Sequence, residues 1–162
     1  MKATNKGFTL IELVVVIIIL GILGAVALPK LINLQGDARA SVMKNVEGSM
    51  RAANAMVYAK ASILGQTGAV GTLTQLQLGV QVPGGSMSLV RGYAADATNL
   101  AEAMDLNTGA NGDFLIAGNN IQHRKASNPA TCQVGYTPAT VNLAPQYNAT
   151  TVTGPNAGNN CR

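Results

Sequence analysis

One residue stands out chemically before any fold is considered. Glu12 is the single acid in the stretch Gly7 to Pro29, GFTLIELVVVIIILGILGAVALP. A carboxylate in an apolar helix that crosses a bilayer costs roughly 2.5 kcal/mol or more unless it is neutralised or paired, which makes such a residue a functional candidate by default. The second candidate set is the pair Cys132 and Cys161, in a chain with 2 cysteines and 1 histidine. A zinc site needs more ligands than these offer, and His123 has no clustered partners. The remaining acids of the second half, Asp96, Glu102, Asp105 and Asp113, are scattered, no Ser, His and Asp set forms a nucleophile motif, and GVQVPGG lacks the lysine of a phosphate-binding loop. These residues read as solvated side chains, so neither catalysis nor a cofactor is expected. Arg124 and Lys125 beside His123 make a basic spot too small for a nucleic-acid face, and read as a solvated hairpin end.

Glu12 has to be positioned by the run around it. Phe8 to Leu28 is 21 residues, and at about 1.5 Å per residue a helix of that length spans roughly the 30 Å of a bilayer core. The small residue that a signal peptidase would need lies before the run, at Gly7, whereas ordinary signal cleavage falls after the apolar segment. Cutting at Gly7 removes Lys2 and Lys6 and keeps the span. The basic leader stays cytoplasmic, which places the rest of the chain on the far side of the membrane. The formal charge of +4 belongs to the precursor, and subtracting the 2 leader lysines from 11 basic residues leaves 9 against 7 acids, or +2. That near-neutral balance, with 4% aromatics and no Trp, points away from a nucleic-acid surface. Beyond the membrane disulfides persist, so Cys132 and Cys161 are expected to pair, closing a loop of about 30 residues and constraining the unfolded chain by roughly 3.6 kcal/mol.

The residues Gly7, Phe8, Thr9, Leu10, Ile11, Glu12 and Leu13 spell GFTLIEL behind a short basic leader, and this closely resembles the class III signal of type IV prepilins. The resemblance implies cleavage after Gly7 by a prepilin peptidase, methylation of the new amine on Phe8, and attraction of Glu12 to the Phe8 amine of a neighbouring subunit. Physics agrees with that account: an α-amine titrates near 7.7, so it carries substantial charge at neutral pH, and opposite charges meeting in a low-dielectric bundle relieve each other's burial. Such a pair serves register more than stability. The segment from Leu31 to Lys60, with NLQGDAR and ANAMVYAKA, is similar to the mannose-sensitive haemagglutinin branch of these pilins. Within the span, Gly21 and Gly24 each cost about 1 kcal/mol relative to Ala, and Pro29 removes a backbone donor. That weak segment suits close packing of small residues in lipid with a kink at the membrane exit, and it also matches the stretch that the resemblance implies extends or melts when subunits leave the bilayer.

Past Pro29, apolar residues recur at Leu31, Leu34, Ala38, Val42, Val46, Met50, Ala53, Val57, Ala61 and Leu64, gaps of three or four that predict one helical stripe ending at a Gly65 cap. The chain therefore divides into a leader at 1–7, an apolar helix at 8–28, its amphipathic half at 29–64 and a head at 65–162. In the head, the sequence predicts a short strand within Leu73 to Val82 and another over Met87 to Tyr93. A helix through Leu106 would be capped by Asn99 with Glu102 or by Asp96. Phe114 to Ala117 and Asn120 to His123, separated by Gly118 and Asn119, predict a hairpin, followed by a strand at Thr131 to Tyr136. Thr137 to Asn160 reads as loop with at most one strand. The expected class is α+β, a small antiparallel sheet packed on the long helix as in the type IV pilin fold, with the loop between the cysteines as its D-region.

The resemblance implies a structural subunit that inserts in the inner membrane, meets the peptidase and an assembly platform, and polymerises with other pilins into a surface filament of a Gram-negative cell for attachment, with a surface or glycan ligand open. Two other functions share the signal. A secretion pseudopilin is disfavoured by the cysteine pair and by the lack of an acidic calcium loop. A minor pilin binding DNA or a glycan would differ in abundance.

Overall fold

The computed structural model describes residues 8–79, 82 and 84–162. Gly7, Lys2 and Lys6 lie outside the described residues, as do Val80, Gln81 and Pro83. Helix α1, Leu10–Ile63, is 54 residues long, or about 80 Å at 1.5 Å per residue. It runs on through Gly21, Gly24 and Pro29. Gly65, at φ +67, follows its C-cap Leu64, the left-handed ending that glycine permits.

The head builds two small sheets against successive lengths of α1, where the sequence predicts a single one. The first is antiparallel with order β1 (Gly71–Thr74), β2 (Ser86–Val90) and β3 (Tyr93–Ala94). A one-turn helix α2, Gln75–Leu78, follows β1. The strand expected at Met87 to Tyr93 is interrupted because Arg91 and Gly92, at φ 54 and 81, form a two-residue turn that pairs Val90 with Tyr93; both positions have positive φ, the backbone of a type I′ hairpin. The second sheet is β4 (Phe114–Ala117), β5 (Asn120–His123), β6 (Gln133–Thr137) and β7 (Gln146–Asn148), antiparallel throughout. The β4–β5 hairpin turns on Gly118 and Asn119 as the sequence indicates. Strand β6 begins two residues late, because Pro129–Thr131 is a 3-10 turn.

Between the sheets, α3 spans Ala97–Ala103 and its cap is Asp96, whose carboxylate accepts the Asn99 amide at 2.8 Å. The Asn99 side chain is turned outward to accept the Ser88 amide at 2.8 Å, which ties α3 to β2 and removes Asn99 from the capping role. A fourth helix, α4 (Ala157–Asn160), lies in the tail that reads as loop from sequence.

Two clusters form the core. Ala40, Met43, Val46, Met50 and Ala53 of α1 pack with Leu100, Ile121, Val134 and Val152, while Val57 and Ala61 pack with Leu73, Met87 and Leu89. From Val46 to Ala61 this is the expected stripe, whereas Leu64, its expected last member, is exposed. Before it, Leu31, Leu34 and Val42 are exposed, at 57%, 63% and 41%, and the buried path runs through Gly36, Ala40 and Met43. The cause is a steric one. A Cβ on Gly36 would collide with the backbone carbonyl of Gly158, so α4 approaches α1 where the helix is narrowest, and small size rather than apolarity selects the contact face.

Candidate functional site

Thr9 caps α1. Its hydroxyl accepts the Glu12 amide at 3.3 Å, which caps the helix, and donates to the Glu12 carboxylate at 3.4 Å, so both contacts between these residues three apart run through the Thr9 hydroxyl. The carboxylate is favoured there by the positive end of the helix dipole. The Thr-x-x-Glu spacing is the sequence signal for this partner. Glu12 and Phe8 are both exposed, with Phe8 80% accessible. Every residue from Phe8 to Leu31 is exposed, and α1 is long and apolar enough to cross a membrane by length and composition. A Cβ placed on Gly21 or Gly24 would meet nothing within 4 Å beyond its own helix backbone and chain neighbours, so small residues leave this part of the rod open to close approach by another helix.

At the other end of the molecule Cys132 and Cys161 are joined in a buried disulfide with Cα atoms 4.7 Å apart. Around it the tail is tied down by a set of hydrogen bonds. Arg39 of α1 donates to the Cys161 carbonyl at 3.2 Å, Thr131 donates to the Asn160 carbonyl at 2.6 Å, and Asn160 donates to the Thr151 carbonyl at 2.7 Å. The Ser127 amide donates to the Arg162 carbonyl.

The basic spot after β5 is not a solvated hairpin end. Arg124 donates to the carbonyls of Gly112, Gly109 and Phe114 at 2.9 Å each and of Thr108 at 3.1 Å, so its guanidinium fastens the turn before β4. Lys125 pairs with Asp113 at 2.7 Å on the surface, a contact of little energetic weight, and its hydrogen bond holds the Asp113 carboxyl below its ordinary range. Among the described residues, no group of three or more His, Cys, Asp or Glu gathers to hold a metal.

His123 is buried, edge-on to Phe114 at 5.9 Å, and its Nδ1 accepts the Lys125 amide at 3.3 Å. Burial first, then the charge of Arg39, pushes its pKa below the ordinary 6.5, against an opposing pull from Asp113. The folded chain thus binds this proton less readily than the unfolded chain, so stability is complete above about pH 6.5 and falls as pH drops below it. Melting temperature is expected to decline between pH 7 and 5 in the native chain and to flatten in that window in His123→Gln, as followed by circular dichroism. An unchanged slope in the variant would refute the assignment to His123.

Sequence comparison finds a known motif at the apolar end. Residues 2–28 match the prokaryotic N-terminal methylation motif. Over 53 residues the chain is 45% identical to the type IV major fimbrial protein FimA of Dichelobacter nodosus, covering 33% of this chain and 34% of the relative. It is 41% identical over 56 residues to a type IV narrow pilus major component of Thermus thermophilus, covering 35% of this chain and 48% of the relative, and 41% identical over 58 residues to the fimbrial protein EcpC of Eikenella corrodens, covering 36% and 38%. The chain therefore spans between a third and a half of the length of these relatives. No solved structure matches.

Proposed function

We propose that this chain is the repeating structural subunit of a type IV pilus. The observation that carries the reading is the continuity of α1: one helix offers an exposed apolar face from Phe8 to Leu31, with Glu12 in its first turn, and then supplies the core of a disulfide-closed head. The rod has no partner within the described residues of the chain, and copies of itself are what would cover it. In this reading the precursor sits in the inner membrane by its apolar helix, prepilin peptidase cuts after Gly7, and the Phe8 amine is methylated. Glu12 meets the Phe8 amine of a neighbour as the assembly platform draws subunits into the filament. Gly21, Gly24 and Pro29 supply the segment that yields during extraction. The relatives named above are fimbrial or pilus components, which supports a structural rather than catalytic role. The finer assignment is the mannose-sensitive haemagglutinin branch, with attachment to surfaces as the task of a filament on a Gram-negative cell, resting on NLQGDAR and ANAMVYAKA.

Shed surface fibres examined by mass spectrometry are expected to contain this chain as the dominant band, beginning at a methylated Phe8. Glu12→Ala is expected to insert and be cleaved yet lower filament yield at least about tenfold, because a buried amine stranded without its acid costs about 3–5 kcal/mol. Normal yield in that variant would remove the role given to Glu12, and fibres lacking this chain would remove the function.

A further inference from the structure

The chain contains 4 tyrosines and no tryptophan, and the head sorts the tyrosines into two pairs of opposite character. Tyr136 and Tyr147 accept hydrogen bonds from Asn54, with ring centroids 5.6 Å apart and planes tilted by 47°. Tyr58 of α1 and Tyr93 of β3 are stacked, with centroids 4.5 Å apart and planes 17° from parallel. Together with Tyr147 of β7 they line a surface cleft of about 290 Å³. We propose that Tyr58 and Tyr93 form an oxidative cross-linking site, at which a one-electron oxidant joins the two rings through a carbon–carbon bond.

The pair is held in contact before any oxidant arrives. Its centroid separation lies at the short end of the range for aromatic pairs, about 4.5–7 Å, so carbons of the two rings are in van der Waals contact. Tyr58 is carried by a helix, and Tyr93 follows the turn of Arg91 and Gly92, both at positive φ. The backbone of Gly92 abuts Tyr58: a Cβ there would lie 3.1 Å from the ring at a φ of +81, so glycine is what lets the turn bring the two tyrosines together. Reactive groups fixed side by side couple without the cost of a bimolecular encounter.

In the reaction each phenol gives one electron to the oxidant and its proton to water. The two phenoxyl radicals carry unpaired density on the ring carbons beside the oxygen, and one such carbon from each ring forms the new bond. The hydrogens of those carbons then leave as protons while the oxygens are reprotonated and the rings regain aromaticity. The net loss is two electrons and two protons, which one hydrogen peroxide takes up through a peroxidase to become two waters.

The surroundings select this pair over the other. Among the described residues the hydroxyls of Tyr58 and Tyr93 have no hydrogen-bond partner, and Tyr58 is 39% exposed, so water is at hand to take the proton. Tyr136 is 3% exposed and donates to the Ala94 carbonyl, and burial raises the pKa of both Tyr136 and Tyr147, so their protons leave with difficulty. The new bond would pin α1 to the first sheet, as the disulfide pins the tail beside the second, and it closes a loop of similar length.

The proposal needs only the folded head and does not depend on whether the chain polymerises. Full-length protein, dilute in detergent, is treated with a haem peroxidase and hydrogen peroxide. Dityrosine fluorescence should appear, the intact chain should lose the mass of two hydrogens, and tandem mass spectrometry should find the peptides of Tyr58 and Tyr93 joined. In Tyr58→Phe and in Tyr93→Phe, which keep a stacked ring and remove the phenol, the intramolecular product should fall to background, whereas Tyr147→Phe should leave it intact. Circular dichroism checks that each variant is folded, and either of the first two is sufficient for the test. No cross-link, a bond between Tyr136 and Tyr147, an unchanged product in the Tyr58 and Tyr93 variants, or joined chains without an intramolecular bond would overturn the proposal.

Discussion

Replacing Asn54 with leucine is expected to lower the stability of the head by about 3 kcal/mol, although leucine is the better match to the apolar stripe around it. Asn54 is 1% exposed and sits at the centre of a network. Its amide donates to the hydroxyls of Tyr136 at 2.9 Å and Tyr147 at 2.8 Å, its carbonyl accepts the Ala94 amide at 2.9 Å, and Tyr136 donates in turn to the Ala94 carbonyl at 2.7 Å. Burial raises the pKa of both tyrosines, so each remains a neutral phenol able to serve the network. Leucine would strand the Ala94 N–H in the core and leave Tyr147 without its donor, at roughly 1–3 kcal/mol for each group left unsatisfied. For a head of about 100 residues this corresponds to a fall in melting temperature on the order of 15 °C. Tyr147→Phe should cost far less, because its hydroxyl is only half-buried, and a double-mutant cycle between the two positions should return a coupling of about 1 kcal/mol. Additive effects, or a leucine variant as stable as the native chain, would show that the network does not hold α1 to the sheets.

The same residue shows where sequence reading stops. Asn54 lies between Met50, Ala53 and Val57 and reads as a polar interruption, because its partners are 82 and 93 residues away in the chain. The legible parts are local. The periodicity of α1 and its Gly65 ending depend on residues three or four apart, and the β4–β5 hairpin depends on Gly118 and Asn119 alone. What escapes the sequence needs tertiary knowledge or breaks a local rule. Arg91 adopts a positive φ that its residue type does not advertise, so the β2–β3 hairpin reads as one strand. Leu31, Leu34 and Val42 extend the apolar stripe in register, but Gly36 takes the buried position because Gly158 comes too close for a side chain. The Tyr58, Tyr93 and Tyr147 cleft gathers residues from three separate elements and has no sequence signature. At the apolar end the motif is readable at once, while the Thr9 cap on Glu12 rests on a Thr-x-x-Glu spacing that is easily passed over inside it.

Removing the disulfide with Cys132→Ser and Cys161→Ser is expected to free the tail before it disturbs the sheets. The bond closes a separation of 29 residues, for which chain entropy alone assigns roughly 3.6 kcal/mol. The segment it retains has little of its own to keep it folded. Helix α4 is four residues long, far below the length at which a helix persists in water. Its hold on α1 is the close approach of Gly158 to Gly36 and Asp37, the packing of Ala157 on the core and the bond from Arg39 to the Cys161 carbonyl, and hydrogen bonds of Asn160 with Thr131 and Thr151 tie it to the rest of the head. With the cross-link gone, α4 should lift away, giving Ala40 and Met43 of α1 to solvent, while β4 to β6 keep the β5 and β6 side chains Ile121 and Val134 buried against α1. Amide hydrogen exchange in the double variant should therefore accelerate strongly from Ala149 to Cys161 and only modestly in the β4–β5 hairpin, with a melting temperature lower by about 15 °C. If α4 kept its protection, the glycine contact and its hydrogen bonds would be sufficient without the bond. If the strands of both sheets lost protection together, the tail would be part of the cooperative core rather than a strap laid upon it.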